Sequence, residues 1–321
     1  MKNITLRRCV ALGLSAVLLV IAIPNSVMAS ELTENEDVVE VSIESDGNDA
    51  IENIAFDTIL ADKSLYTSQL DAKERKIYKA CLKSIKKGKK KFTVKGIMDG
   101  DKIASACGAL FLSYPEKFEF MPIGSRATMV NATYTRNKKT NVKFSSSKHY
   151  SKNLEKQAKA KVKEIVADAK AYAAYEYPND QTYGTIKYFN DWLNDNTSVP
   201  AGANATDTEG QSTEIFYLSN CSYGALLKGY RTNNAFALTM SRLLNDAGIK
   251  NMLISTFRST GVPFLANYAM MPDGKWYYID GENFLVGRDT YKASYLGSSS
   301  YFSSERTFTL PELAETDYSV Q

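Results

Sequence analysis

The sequence predicts an α+β protein, with helices leading into a mostly antiparallel sheet. Three observations predict it. Apolar residues recur at helical spacing in five stretches between residues 71 and 246. Three strand-like runs then follow between residues 251 and 280, the last two joined by the tight turn Pro272-Asp-Gly274. A second group of alternating segments lies between residues 118 and 150. Helices and strands grouped along the chain, not alternating singly, give α+β and not a parallel sheet.

Residues 1–29 read as an export signal. Lys2, Arg7 and Arg8 form a positive start, and residues 9–23 are apolar but short for a membrane span. Val27-Met-Ala29 is a small-residue cleavage pattern, so cleavage is expected after Ala29. The protein is therefore expected to be secreted or held at the cell surface. Removing the signal takes three of the 39 Lys and Arg residues and leaves 36, equal to the 36 Asp and Glu. A neutral mature chain offers no general attraction to nucleic acid. Residues 309–321 are polar and acidic, with no apolar sorting tail and no second span.

Residues 30–62 hold eleven acidic residues and no Lys or Arg. Sparse, aperiodic apolar residues make this a solvated, disordered linker. Order begins near Leu65 and opens a preamble of helices and strands over residues 63–175. Its first helix covers residues 71–86, with Ile77, Cys81, Leu82 and Ile85 at helical spacing and a stop at Gly88. Seven lysines fall between Lys83 and Lys95. Such a run is a patch for polyanions or, more commonly, a solvated helix end and turn. A second helix covers residues 102–113 and closes at Pro115. Strands are expected at residues 118–121, 127–136 and 141–150, with a turn at Asn137-Lys-Lys-Thr140. Residues 154–175 form a long helix with Val162, Ile165, Val166, Ala169 and Tyr172 as its apolar stripe.

The last domain is expected over residues 176–321. After the break Pro178-Asn-Asp180 a helix spans residues 183–194, and a polar loop follows to Gly210. Arg231-Thr-Asn-Asn234 starts the next helix, with asparagine as a suitable N-cap, and Gly248 ends it. Strands at residues 251–257, 265–271 and 275–280 complete the sheet.

The reactive side chains are few. His149 is the chain's one histidine, and at the exit of the strand region it reads as a surface residue. Of four cysteines, Cys81, Cys107 and Cys221 survive signal removal, and an odd number leaves at least one thiol unpaired or bridged to another molecule. Without a CxxC pair or a histidine cluster, neither a zinc site nor any cofactor is expected. No Gly-x-Ser-x-Gly, phosphate loop or dinucleotide fingerprint is present.

Several segments, in order, resemble the bacterial transglutaminase-like superfamily of exported, papain-related proteins. They are Ile186-Lys-Tyr-Phe-Asn-Asp-Trp-Leu-Asn-Asp-Asn-Thr197, Tyr223-Gly-Ala-Leu-Leu-Lys-Gly229, the helix from Phe236 ending in Leu243-Leu244 and Gly248-Ile249, and Gly274-Lys-Trp-Tyr-Tyr-Ile-Asp280. Together they cover about a third of the chain, and residues 65–175 are similar to the preamble of exported members. The resemblance implies a papain/transglutaminase-like core, a long helix packed on an antiparallel sheet. It also implies a thiolate at the helix start, activated by a histidine on a facing strand and an aspartate on the next.

The implied positions depart from that chemistry. The nucleophile position falls at Asn233, flanked by Thr232 and Asn234, and the histidine position at about Phe264 or Leu265, near Asn267. Only the aspartate matches, as Asp280. An aspartate alone generates no nucleophile. The first expectation is a pseudoenzyme that binds a peptide, protein or cell-wall polymer in a cleft of Thr232, Asn233, Asn234, Asn267 and Asp280. A second is a hydrolase or transamidase with Cys221 as a relocated nucleophile and His149 brought to it. A third is a structural module whose cleft is filled by Phe264 and Leu265.

Overall fold

In the computed structural model, the described residues are 2–4, 64–121, 130–135, 137–203, 213–257, 263–279, 281, 285, 287 and 308–320. The expected leader, apart from residues 2–4, and the acidic stretch 30–62 lie outside them. The chain divides into two compact units, with the division between Ser147 and Lys148.

The first unit is built from helices and one antiparallel sheet. Its helices are α1 (Ser64–Ser68), α2 (Ala72–Lys86) and α3 (Gly100–Ser113). Its strands are β1 (Lys2–Ile4), β2 (Lys91–Lys95), β3 (Val130–Tyr134) and β4 (Lys139–Phe144), in the order β1-β3-β4-β2. Asp71 starts α2 with a capping box. Its side chain accepts from the backbone N–H groups of Lys73 and Glu74, and Glu74 accepts from the Asp71 N–H. The Lys102 ammonium bonds the same carboxylate at 2.5 Å and, with these backbone bonds, holds its pKa down to about 2.

Burial explains how these elements pack. Ile77, Cys81, Leu82, Ile103, Cys107 and Leu110 are fully buried along α2 and α3. Phe144 meets Phe92, Phe118 and Phe120 at ring separations of 5.9, 5.5 and 6.3 Å. Burial pushes the Cys81 thiol well up, and the neighbouring free Cys107 thiol adds to the shift. The expected strand at residues 118–121 is absent. A 3₁₀ turn at Pro115–Lys117 leads into further turns there. All of Phe118, Glu119, Phe120 and Met121 are buried, so the segment has no solvent face to alternate with.

The second unit holds α4 (Lys152–Glu176), α5 (Gln181–Asn196), α6 (Glu214–Ser219), α7 (Ser222–Lys228) and α8 (Asn233–Ala247). It also holds the antiparallel sheet β5 (Asn251–Phe257), β6 (Pro263–Met270) and β7 (Trp276–Ile279), in that order. The helix expected to close the preamble, α4, belongs to this unit. Its buried stripe of Ala158, Val162, Ile165, Val166, Ala169 and Ala173 packs on α5, α7 and α8. The division into units falls before α4, between Ser147 and Lys148. Ser151 and Asp180 cap α4 and α5 by accepting from Leu154 and Tyr183 N–H groups.

Helix α8 is buried continuously from Asn234 to Leu244, so it is a central helix and not a surface one. It ends at Gly248, whose φ of 81° suits glycine. The segment 309–320 runs beside β7, where the Ala314 N–H donates to the Trp276 carbonyl. Among the described residues no helix is long and apolar enough to cross a membrane.

Candidate functional site

The second unit brings the start of α8 to the exit of β7. Asn194, near the end of α5, accepts a bond from the Arg231 guanidinium at 2.8 Å and donates to the Gly281 carbonyl at 2.8 Å. Arg231 also lies over the Phe236 ring at 5.5 Å. A Cβ on Gly281 would sit 3.3 Å from that ring, so the chain after β7 passes close to the first turn of α8. Asp280 lies outside the described residues.

At the helix start, Thr232 and not an asparagine is the N-cap. Its hydroxyl does not cap the helix but donates to the Asn220 side-chain oxygen at 2.9 Å, and its N–H donates to the Ser219 carbonyl at 2.8 Å. Asn233 is the exposed first residue of α8, and Asn234 is buried. The implied nucleophile position is thus an exposed carboxamide at a helix N-terminus.

Strand register fixes which sheet residues face α8. Asn251 accepts a bond from Ser241 and donates to Asn245, both on α8. Leu253 shares its face, two residues on, and pairs with Asn267, which pairs with Ile279. Asn267 therefore points to the α8 side of the sheet, as do Leu265 and its partner Ser255. Leu265 is buried in packing. Asn267 has 0% exposure, and neither its amide nitrogen nor its oxygen has a hydrogen-bond partner; the Ser255 hydroxyl is likewise buried without one. Three buried polar atoms on one face thus have no hydrogen-bond partner among the described residues. The backbone of Phe264 pairs with Thr256, and its side chain lies outside the description.

Cys221 and His149 lie in this unit, toward α6 and α7. Cys221 is 1% exposed, precedes α7, and its thiol donates to the Leu218 carbonyl at 3.6 Å. The His149 ring packs on Tyr217, with ring centres 5.9 Å apart. Asn220, adjacent to Cys221, is the residue that holds Thr232.

Beside the site is an ion pair that sequence reasoning missed. Arg242, in the middle of α8, is 6% exposed. Its guanidinium bonds Glu155 at 2.5 Å and Ser222 at 3.0 Å and lies over the Tyr223 ring. The Tyr223 hydroxyl donates to the same Glu155 oxygen at 3.0 Å. Burial alone would raise the Glu155 pKa, but the Arg242 charge and bonds outweigh it and lower the value. This network ties α4 to α7 and α8. The one cue in the sequence was a lone arginine inside an apolar helix; Glu155, 87 residues away, carried none.

The class that fold and site define is an α+β domain with its central helix starting near the end of an antiparallel sheet. Solved structures similar to the chain include a TGase, at TM-score 0.34 and 13% identity over 71% of this chain and 61% of that one. A candidate cysteine protease from Cytophaga hutchinsonii gives 0.28 and 9%, over 49% and 62%. A candidate protease from Parabacteroides distasonis gives 0.26 and 17%, over 50% and 37%. The chain thus spans about three fifths of the first two proteins and little over a third of the last. No protein-family model and no curated protein matches it.

Proposed function

We propose that this is a secreted, transglutaminase-like domain protein that does not catalyse but binds a peptide or a cell-envelope polymer in the cleft at the start of α8. One observation carries the reading. The buried wall of the cleft offers Asn267 with donor and acceptor both unused, while the helix start offers the carboxamide of Asn233 and no thiol. The exposed Asn233 carboxamide can bond polar backbone or amide groups as it stands, and Asn267, at 0% exposure, can do so only when the sheet face opens to the ligand. The site cannot form a covalent acyl intermediate, which needs an activated nucleophile.

The thiol reading rests on Cys221 and His149 both lying toward α6 and α7. Its weakness is burial, since a thiolate nucleophile needs an accessible, electropositive setting. The test is labelling of the folded protein with iodoacetamide from pH 6 to 9, with Cys221→Ala as control, alongside amine incorporation into casein. We expect slow labelling and no incorporation, with retention on insoluble peptidoglycan that Asn267→Val weakens. Fast Cys221-dependent labelling at neutral pH, or incorporation above background, sinks the non-catalytic reading.

A further inference from the structure

Cys81 and Cys107 lie side by side in the core of the first unit. Helices α2 and α3 run in the same direction, and two contacts fix their alignment. At their starts, the Lys102 ammonium bonds the Asp71 carboxylate at 2.5 Å. Toward their ends, the Lys86 ammonium lies 5.9 Å from the centre of the Tyr114 ring. Between these contacts, Cys81 is on the buried side of α2 and Cys107 on that of α3, both with 0% exposure. Each thiol stands within electrostatic reach of the other.

The residues around the pair are small. Ala104, Ala106 and Ala109 are buried on α3 around Cys107, with Gly108 next to it. Ala80 and Ser84 are buried on α2 near Cys81. Little bulk therefore holds the two backbones apart, and a disulfide forms only across a short Cα separation. Cys221, the other cysteine among the described residues, belongs to the second unit, where its thiol donates to the Leu218 carbonyl at 3.6 Å.

We propose that Cys81 and Cys107 are a modification site, a dithiol that closes to a disulfide on a disulfide oxidant and clips α2 to α3. The thiolate of one cysteine attacks a sulfur of the oxidant, forms a mixed disulfide and expels one oxidant thiol. The thiolate of the other attacks the protein sulfur of that mixed disulfide, forms the Cys81–Cys107 bond and expels the second oxidant thiol. The cysteines lose two electrons and two protons, and the oxidant takes up both as it becomes two thiols. Burial sets the timing. Neither thiol is exposed in the folded unit, and burial keeps Cys81 protonated, so the exchange runs as α2 and α3 close on each other and not afterwards. Cys107 lies 26 residues after Cys81, so the closed loop spans β2 and takes freedom from that stretch of the unfolded chain. Export, the part of the proposed function on which this rests, would carry the chain to such oxidants.

The test is refolding of the full chain from urea in glutathione with glutathione disulfide, followed by quenching with iodoacetamide and trypsin digestion without reductant. Most chains should yield a disulfide-linked pair of peptides, residues 80–83 and 103–117. A chain refolded in reductant and given glutathione disulfide only afterwards should form the link far more slowly. The linked protein should melt about 10 °C above the chain refolded in reductant, read by circular dichroism. Cys221→Ala should change neither result. Cys81→Ala keeps a small apolar side chain in the core, so it should fold, form no link and melt alike after either refolding. A chain refolded in the oxidant without the link between 80–83 and 103–117 overturns the proposal. So does a predominant link through Cys221, or a link that leaves the melting midpoint unchanged. Refolding needs no export, so a missing link strikes the pair alone; the secretion reading is checked separately, by recovery of the chain from culture medium.

Discussion

Replacing Asn267 by valine tests the cleft directly. The side chain is fully buried in the middle strand, and its two polar atoms have no partner. Each buried, unmade hydrogen-bonding group costs about 1–3 kcal/mol. Taking the low end for both atoms, their removal should gain about 2 kcal/mol. Valine suits a central strand, and the imperfect match of shape should return less than about 1 kcal/mol. The net expectation is a gain of about 1–2 kcal/mol, or about 2–8 °C in the midpoint of a unit of this size. Both tryptophans, Trp192 and Trp276, lie in the second unit, so tryptophan fluorescence in a urea titration follows that unit alone. A loss of 1 kcal/mol or more would refute the reasoning. It would mean that the amide is satisfied in the free protein, by water or by neighbours, and is not held ready for a ligand.

Two further outcomes follow from packing and charge. A Cβ at Gly224 would lie 1.9 Å from the Leu218 carbonyl oxygen, so Gly224→Ala must push α7 off α6; we expect a loss of about 3 kcal/mol or failure to fold, read by circular dichroism and urea midpoint. Glu155→Gln leaves the buried Arg242 without its counter-charge. The usual cost of about 3–5 kcal/mol for breaking a buried pair falls to about 2 kcal/mol at this partly exposed site. Because folding lowers the Glu155 pKa from 4.5, its stabilisation is fully present above that value and is lost as pH falls through the folded value. A wild-type urea midpoint that drops no more than the variant's between pH 7 and 3 would contradict this.

Much of the fold was legible because burial here follows simple periods. The buried stripe of α4 and the strands β5–β7 stand close to where spacing puts them. Strand β2 was missed: Lys-Phe-Thr-Val-Lys alternates, but seven lysines in thirteen residues read as a solvated helix end and turn. The segment 118–121 misled for the opposite reason. Its alternating letters are all buried from a turn. The cap of α8 was placed one residue late because asparagine and threonine both cap well, and Asn220, which claims the Thr232 hydroxyl, approaches from outside the helix. Of the candidate residues, Thr232, Asn233 and Asn234 lie at the start of α8, and Leu265 and Asn267 on the sheet face toward that helix. Glu155 and Arg242 meet across 87 residues, which no local pattern announces.

The two walls of the cleft argue differently about its use. Leu265 puts a buried leucine at one of the two residues implied for the histidine, as a module that had merely filled an old site would do. Packing alone would extend that solution along the strand, since an apolar residue in place of Asn267 or Ser255 would remove a desolvation cost at no loss of contact. Instead, three polar atoms stay buried and unpaired two residues from Leu265 or directly across from it. Around them, Arg231, Asn194 and Gly281 clamp the helix start to the end of the sheet through paired hydrogen bonds. A filled, purely structural cleft accounts for Leu265 and for the clamp but not for the unpaired atoms. A binding cleft accounts for all three. On the proposed reading Leu265 takes the place of the base, the Arg231–Asn194–Gly281 bonds tie the helix start to the end of the sheet, and the unpaired amide and hydroxyl are the groups a polar ligand would bond.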